Sequence, residues 1–303
     1  MPEAIINLVE RSNYEFYHYN PIKWVSVHYA LYFLLALGVE IYLIVSTEKR
    51  FKSDVASKHR RRYVGIMVPL MIGITFEAIG YIARAKSSSD REAMMPYVIQ
   101  SVMLLIAPAF IVATIYMCLG EIIRSLKAEE YSVIPLKYLT KIFVSGDVLS
   151  FLMQSSGGGM MAKGQNSGDI GKKLIVIGLF VQVAFFGCFI IVMSLFVWRI
   201  YHRPTPVSSS LKRTRPAFGN WKHGLTVLVI SSIFIFVRSV YRIVEYLQGT
   251  DGYLQSHEVF LFAFDSVLIF VSVVMLLTNN FTRFFCSAKA EDSDFDNDMY
   301  PLR

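Results

Sequence analysis

Seven ionisable side chains fall inside stretches otherwise apolar enough to lie in a membrane: Glu40, Glu77, Asp147, Arg238, Arg242, Glu245 and Asp265. A charge in hydrocarbon costs on the order of 3 kcal/mol unless it is paired or faces a wet cavity, so each one is a candidate for binding or for carrying protons. Helical spacing sorts them by face. Glu77, Tyr81 and Arg84 run i, i+4, i+7; Asp147, Ser150 and Gln154 run i, i+3, i+7; Arg238, Arg242 and Glu245 run i, i+4, i+7. Glu258 and Asp265 are also seven apart, and Gln100, Gln154 and Gln182 add neutral polarity. His257 and Glu258, with His28 on the first span, mark an outer rim. An ammonium headgroup suits Glu77, Asp147 or Asp265, whereas paired carboxylates suit Arg238 and Arg242, one helical turn apart. If desolvated, Asp147, Glu77 and Asp265 could also relay protons. The competing reading is structural: Arg242 with Glu245, or Arg238 with Asp265, would neutralise each other and touch no ligand.

The elements that must position these residues are long apolar helices. Of 303 residues, 54% are hydrophobic and 17% charged, and the mean hydropathy is +0.46, which excludes an ordinary water-soluble domain. Seven runs reach the roughly 20 residues a span requires: 25–45, 63–83, 97–119, 142–162, 174–197, 224–246 and 259–277. The expected fold class is therefore all-α, a polytopic seven-transmembrane helix bundle. A segment at 1–23 precedes the membrane domain at 24–277, and an acidic tail follows at 278–303. Residues 1–23 hold no apolar core of signal-peptide form, so the first span reads as an uncleaved signal-anchor.

Lys and Arg are distributed unevenly around the spans. The first, third and fifth loops and the tail hold 20, the opposite side holds 8, and Arg238 and Arg242 lie within a span. The positive-inside rule then puts the N-terminus outside and the C-terminus in the cytosol. The net charge of +7 is accounted for by these topology signals next to membrane lipids, and no nucleic-acid partner is expected. On this orientation Glu40 and Asp147 occupy the inner third, and the other intramembrane charges lie at mid-depth or further out. We expect a polar chamber lined by spans two to seven, with Asp147 at its floor and Gly157 to Gly159 at its mouth. Phe236, Tyr241, Tyr246, Tyr253 and Phe262 are aromatic candidates for its wall.

Several function classes lack their residues. Around Gly171-Lys172-Lys173 the first glycine of a phosphate loop is replaced by Asn166, and Lys173 stands where Ser or Thr is needed, so direct ATP-driven pumping is disfavoured. A seven-helix receptor or lipid sensor fits the count of spans, but Cys118-Leu119-Gly120-Glu121 lacks the acid-arginine-aromatic triplet of G-protein-coupled receptors. A zinc amidase would need clustered histidines, and only His28 and His257 approach the membrane, so neither a metal, a cofactor nor a catalytic residue is expected. The cysteines, Cys118, Cys188 and Cys286, imply no disulfide framework; Cys286 at the cytosolic face is a palmitoylation candidate.

The chain resembles the fungal lipid-translocating exporter family, the aminocholesterol-resistance-like membrane proteins, from about Tyr19 to Leu277. The resemblance is carried by Glu77-Ala78-Ile79-Gly80-Tyr81-Ile82-Ala83-Arg84, by Gln100-Ser101-Val102 with Ala107-Pro108, and by Gly146-Asp147 through Gln154 to Gly159. It continues through Gly178-Leu179 with Gln182, Arg238 to Tyr246, and Gly252 to Asp265. Glu121 departs from the pattern, since many members carry a basic residue there. The resemblance implies seven helices, a plasma membrane, and movement of amphipathic molecules or resistance to them. The associated substrates are sphingoid long-chain bases, sterol-like drugs, and protoporphyrin with haem. The short chain and tail resemble the porphyrin branch more than the sphingoid-base branch. A porphyrin's two propionates would suit Arg238 and Arg242.

Overall fold

The computed structural model describes residues 23–50, 54–88, 94–161, 165–208, 220–248 and 258–286. The fold is helical throughout these segments. Helices α1 (Lys23–Arg50), α2 (Asp54–Ser87), α3 (Met94–Ser125), α4 (Leu136–Met161), α5 (Gln165–His202) and α6 (Trp221–Gln248) are followed by a composite α7. That last element consists of Glu258–Leu261, a π-helical turn Phe262–Ser266, and Val267–Thr278. Most run several residues past the spans expected from hydropathy, because polar residues at the interfaces extend the same helical hydrogen-bond ladder.

Among the described residues, six helical stretches are long and apolar enough to cross a membrane: Lys23–Thr47, Arg61–Ser87, Val98–Ser125, Asp169–His202, Trp221–Gln248 and Phe262–Cys286. The chain is thus an all-α, multi-pass membrane protein. The remaining one of the seven expected spans, the fourth at 142–162, is helical in α4 up to Met161 but too polar to join that set. Asp147, Gln154, Ser155, Ser156 and the three glycines lower its apolar character. It nevertheless lies along α5. A Cβ on Gly178 would come 2.9 Å from the Ser150 carbonyl, and one on Gly157 would come 2.5 Å from the Gly171 carbonyl, so only hydrogen fits at these crossings. Gly73 and Gly80 let α2 approach α3 in the same way, against Ala107 and Leu104.

One apolar core runs through the bundle, with Phe33, Tyr81, Ile111, Tyr116, Phe186, Phe189, Leu228 and Val273 all buried in it. Outward-facing positions are equally apolar: Leu35, Ile177, Phe180 and Ile191 are all exposed, as lipid contact requires. At the basic end the helices are tied by polar bonds. Thr205 donates to the Leu126 carbonyl at 2.9 Å, Trp221 Nε1 to the Ser208 carbonyl at 3.0 Å, and Arg199 to the Tyr131 carbonyl at 3.0 Å. Glu121 is held there between Arg62 at 2.8 Å and Arg124 at 3.0 Å. Cys286, the acylation candidate, is 2% exposed within the core.

Candidate functional site

The i, i+4, i+7 rows on α2 and α6 meet the π-turn of α7 inside the bundle. Asp265 is the hub. Its Oδ1 lies 2.7 Å from Arg238 Nε, and its two oxygens accept from Arg242 Nε at 3.0 Å and Nη2 at 2.8 Å. The Arg242 contact is a two-pronged fork, the strongest geometry available to a guanidinium and a carboxylate. Arg242 also reaches Glu245 at 3.2 Å, and Arg238 donates to the Leu104 carbonyl at 3.1 Å. Both ion pairs of the structural reading therefore exist, and a third, Arg242 with Asp265, joins them into one network.

Glu77 completes the charged set from α2, with Arg238, Arg242 and Asp265 as its charged neighbours. It is 2% exposed, and its Oε1 has no hydrogen-bond partner. Arg84, two turns further along the same face, is also buried and sits over the Phe262 ring at 5.4 Å. Its field reaches Asp265. Arg84 lies one residue past the second span expected from hydropathy, and α2, continuing to Ser87, carries it into the bundle. The cluster holds three carboxylates (Glu77, Glu245, Asp265) and three guanidiniums (Arg84, Arg238, Arg242), a formal balance, while the other two intramembrane acids, Glu40 and Asp147, lie outside it.

Aromatic faces close one side of this cluster. Tyr29 stacks on Phe262 at 5.7 Å and on Tyr81 at 5.3 Å, Phe33 stacks on Tyr81 at 5.7 Å, and the Tyr81 hydroxyl donates to Ser266 Oγ. Tyr29, Phe33 and Ser266 were not singled out in the sequence. The i, i+4 spacing of Tyr29 and Phe33 was available as a signal, but nothing marked Ser266. The π-turn widens the helix locally so that Asp265 and Ser266 are both buried, at 2% and 1%. It also breaks the α-helical register that had linked Glu258 with Asp265. Glu258 begins α7, its side chain lies outside the described residues, and so do His257 and Tyr253.

Of the remaining candidates, Tyr246 adjoins this cluster, whereas Asp147 and the Gln154–Gln182 pair lie apart from it. Gln100 is buried on α3 one turn before Leu104, next to it. Asp147 is buried beside the Tyr116 hydroxyl among Phe143 and Phe189, and none of the cluster's charges is among its interaction partners. Gln154 donates to Gln182 at 3.1 Å between α4 and α5. Glu40 is buried near Cys118. Phe236 packs towards Phe186, and Tyr241 stacks on Phe264 at 5.6 Å, while Tyr246 faces Arg242 and Glu245. The polar groups expected to line one chamber thus form three patches, because depth along a helix says nothing about which neighbour its face meets.

The family model described as RTA1 like protein matches residues 70–288. Protein RTA1 of Saccharomyces cerevisiae is 35% identical over 96% of this chain and 94% of its own length. Protoporphyrin uptake protein 1 of the same organism is 35% identical over 89% of this chain and 93% of its own. The Sphingoid long-chain base transporter RSB1 of Saccharomyces cerevisiae is 28% identical over 66% of this chain and 60% of its own. No solved structure matches. With the family model covering most of the sequence, and relatives above 30% identity over nearly all of it, the chain belongs to the RTA1-like protein family.

Proposed function

We propose that this chain is a seven-helix plasma-membrane translocator of amphipathic, lipid-like molecules, with porphyrin and haem as its leading substrate class. In this reading the N-terminus is outside, the C-terminus is cytosolic, and no ATPase is built in. The observation that carries it is the closed network of Arg238, Arg242, Glu245, Asp265 and Glu77 beside the Tyr29, Phe262 and Tyr81 rings. The relative named Protoporphyrin uptake protein 1 supports the substrate class. Support for α4 as the seventh span comes from its 26 residues, about 39 Å of helix at 1.5 Å per residue, packed along α5.

The chemistry is an exchange of carboxylates. A free anion entering hydrocarbon is costly, but a propionate that replaces Asp265 on Arg242 or Arg238 re-forms the same charge-assisted bonds. Arg242, with its side chain 21% exposed, is the most accessible of these partners and the natural first contact. The displaced Asp265 then lies beside Glu77, and two adjacent carboxylates favour uptake of a proton or loss of the substrate. A flat macrocycle would be received by the stacked rings. A second reading, a sphingoid base, is favoured by the unpartnered Glu77 Oε1, which an ammonium would satisfy, and by the sphingoid-base transporter among the relatives.

The test is flux across vesicles containing the purified chain, using a porphyrin dicarboxylate, its uncharged diester, a sphingoid base and a sterol amine. We expect the dicarboxylate to cross faster than in protein-free vesicles and the diester to be indifferent to the protein. Movement of the sphingoid base alone would replace the substrate assignment but keep the translocator. No movement of any of them, with ligand-dependent signalling in cells, would replace the translocator with a receptor.

A further inference from the structure

A groove at the basic end of α5 and α6 takes no part in the buried charge network. It has a volume of about 360 Å3 and is lined by Ser194, Val197, Trp198, Tyr201, His202 and Val229. The five α5 residues are spaced i, i+3, i+4, i+7, i+8, so they form one face of that helix. Val229 is seven residues after Lys222, which places the two on the same face of α6 about 10 Å apart. The groove is therefore graded along its length. Ser194, Val197 and Val229 make its deeper part, and Trp198, Tyr201, His202 and Lys222 its end at the interface.

That end is polarised as well as aromatic. The Lys222 ammonium lies 4.7 Å from the Tyr201 ring centre and 5.4 Å from that of Trp221, and among the described residues it has no ion-pair partner. His202 packs on Trp198 at 4.9 Å, and Arg203 follows it in sequence. No acidic residue occurs anywhere from Ile170 to Val244. The acids that approach from another element, Glu129 and Glu130, adjoin Tyr131, whose carbonyl holds Arg199, a residue outside the lining. Trp198 is 60% exposed and Tyr201 46%, so the groove opens away from the bundle, towards lipid.

We propose that this groove holds one anionic phospholipid, with its charged headgroup at Lys222 and His202 and an acyl chain along Val197, Ser194 and Val229. A volume of this size is within the range of ligand clefts, about 300–1,000 Å3. An apolar cleft ending in a cation that has no ion-pair partner among the described residues matches a lipid that carries a negative headgroup. Interfacial aromatics that act only as depth anchors would bind charged and zwitterionic lipids alike. The inference is independent of what the protein transports.

Native mass spectrometry of the detergent-purified full chain tests it, using phosphatidylserine and phosphatidylcholine with identical acyl chains. The chain should retain one phosphatidylserine about five-fold better than phosphatidylcholine, the effect of a single lysine near an anionic headgroup. Lys222→Gln should abolish the preference, and Val229→Trp, which fills the cleft, should expel both lipids. Glycerophosphoserine, which has no acyl chains, should leave the phosphatidylserine bound. Displacement by it, equal retention of the two lipids by the wild type, a preference that survives Lys222→Gln, or retention of the lipids by Val229→Trp would overturn the proposal. If either variant fails to fold, quenching of wild-type tryptophan fluorescence by brominated acyl chains decides instead. Stronger quenching by phosphatidylserine is expected, and equal quenching by the two lipids overturns it.

Discussion

Replacing Asp265 by Asn keeps the shape of the side chain and removes the charge shared by two arginines. Arg242 would retain Glu245 at 3.2 Å, but Arg238, with its side chain 5% exposed, would lose its direct ion pair and keep the Leu104 carbonyl at 3.1 Å and the field of Glu77. Removing one member of a buried ion pair typically costs about 3–5 kcal/mol, because the remaining charge stays desolvated. The unfolded chain of a membrane protein also finds partners in lipid, so we expect the low end, about 3 kcal/mol. Glu245→Gln removes one longer contact to the more exposed arginine and should cost about 1–2 kcal/mol. The diagnostic variant is the double one. Asp265→Asn with Arg238→Gln leaves one stranded cation fewer than Asp265→Asn alone, so its loss should fall short of the sum of the two single losses by about 1–2 kcal/mol. Reversible unfolding in mixed detergent micelles, followed by circular dichroism, measures the three single variants and the double variant against the wild type. An Asp265→Asn loss no larger than that of Glu245→Gln, or strict additivity in the double variant, would refute the hub.

Three further outcomes follow from packing. Gly157→Ala should destabilise the α4 and α5 contact by about 1–3 kcal/mol in the same unfolding assay, since its Cβ meets the Gly171 carbonyl, whereas Gly120→Ala, with nothing within 4 Å, should be neutral or slightly stabilising. Tyr81→Phe loses the bond to Ser266 and should cost about 1 kcal/mol, read in the same way. Buried Cys286 and Cys118 should resist a thiol reagent in the folded protein while exposed Cys188 reacts with a membrane-permeant one, and mass spectrometry of labelled peptides reports which is modified.

The membrane class and six of the helices were legible because long apolar runs are a one-dimensional signal. The helix carrying Asp147 was also legible, although its serines, glycines and acid leave it too polar by composition. The rows on α2 and α6 were readable from spacing, and so was the pairing of Arg238 with Asp265. Spacing puts Arg84 on the Glu77 face but not among the intramembrane charges, because hydropathy ends the second span at Ala83 while hydrogen bonding carries the helix to Ser87. The π-turn, and with it the joint burial of Asp265 and Ser266, leaves no composition signal. Which faces meet is a tertiary fact: it separated Asp147 and the Gln154–Gln182 pair from the arginines, and it brought Tyr29 and Phe33 of α1 to Tyr81.

The exchange of a substrate carboxylate for Asp265 is tested most directly by porphyrin flux into vesicles, comparing the wild-type chain with the Arg238→Gln, Arg242→Gln double variant at equal, folded reconstitution. The account predicts protein-dependent flux for the wild type and only the protein-free rate for the double variant. Equal flux through both would contradict it.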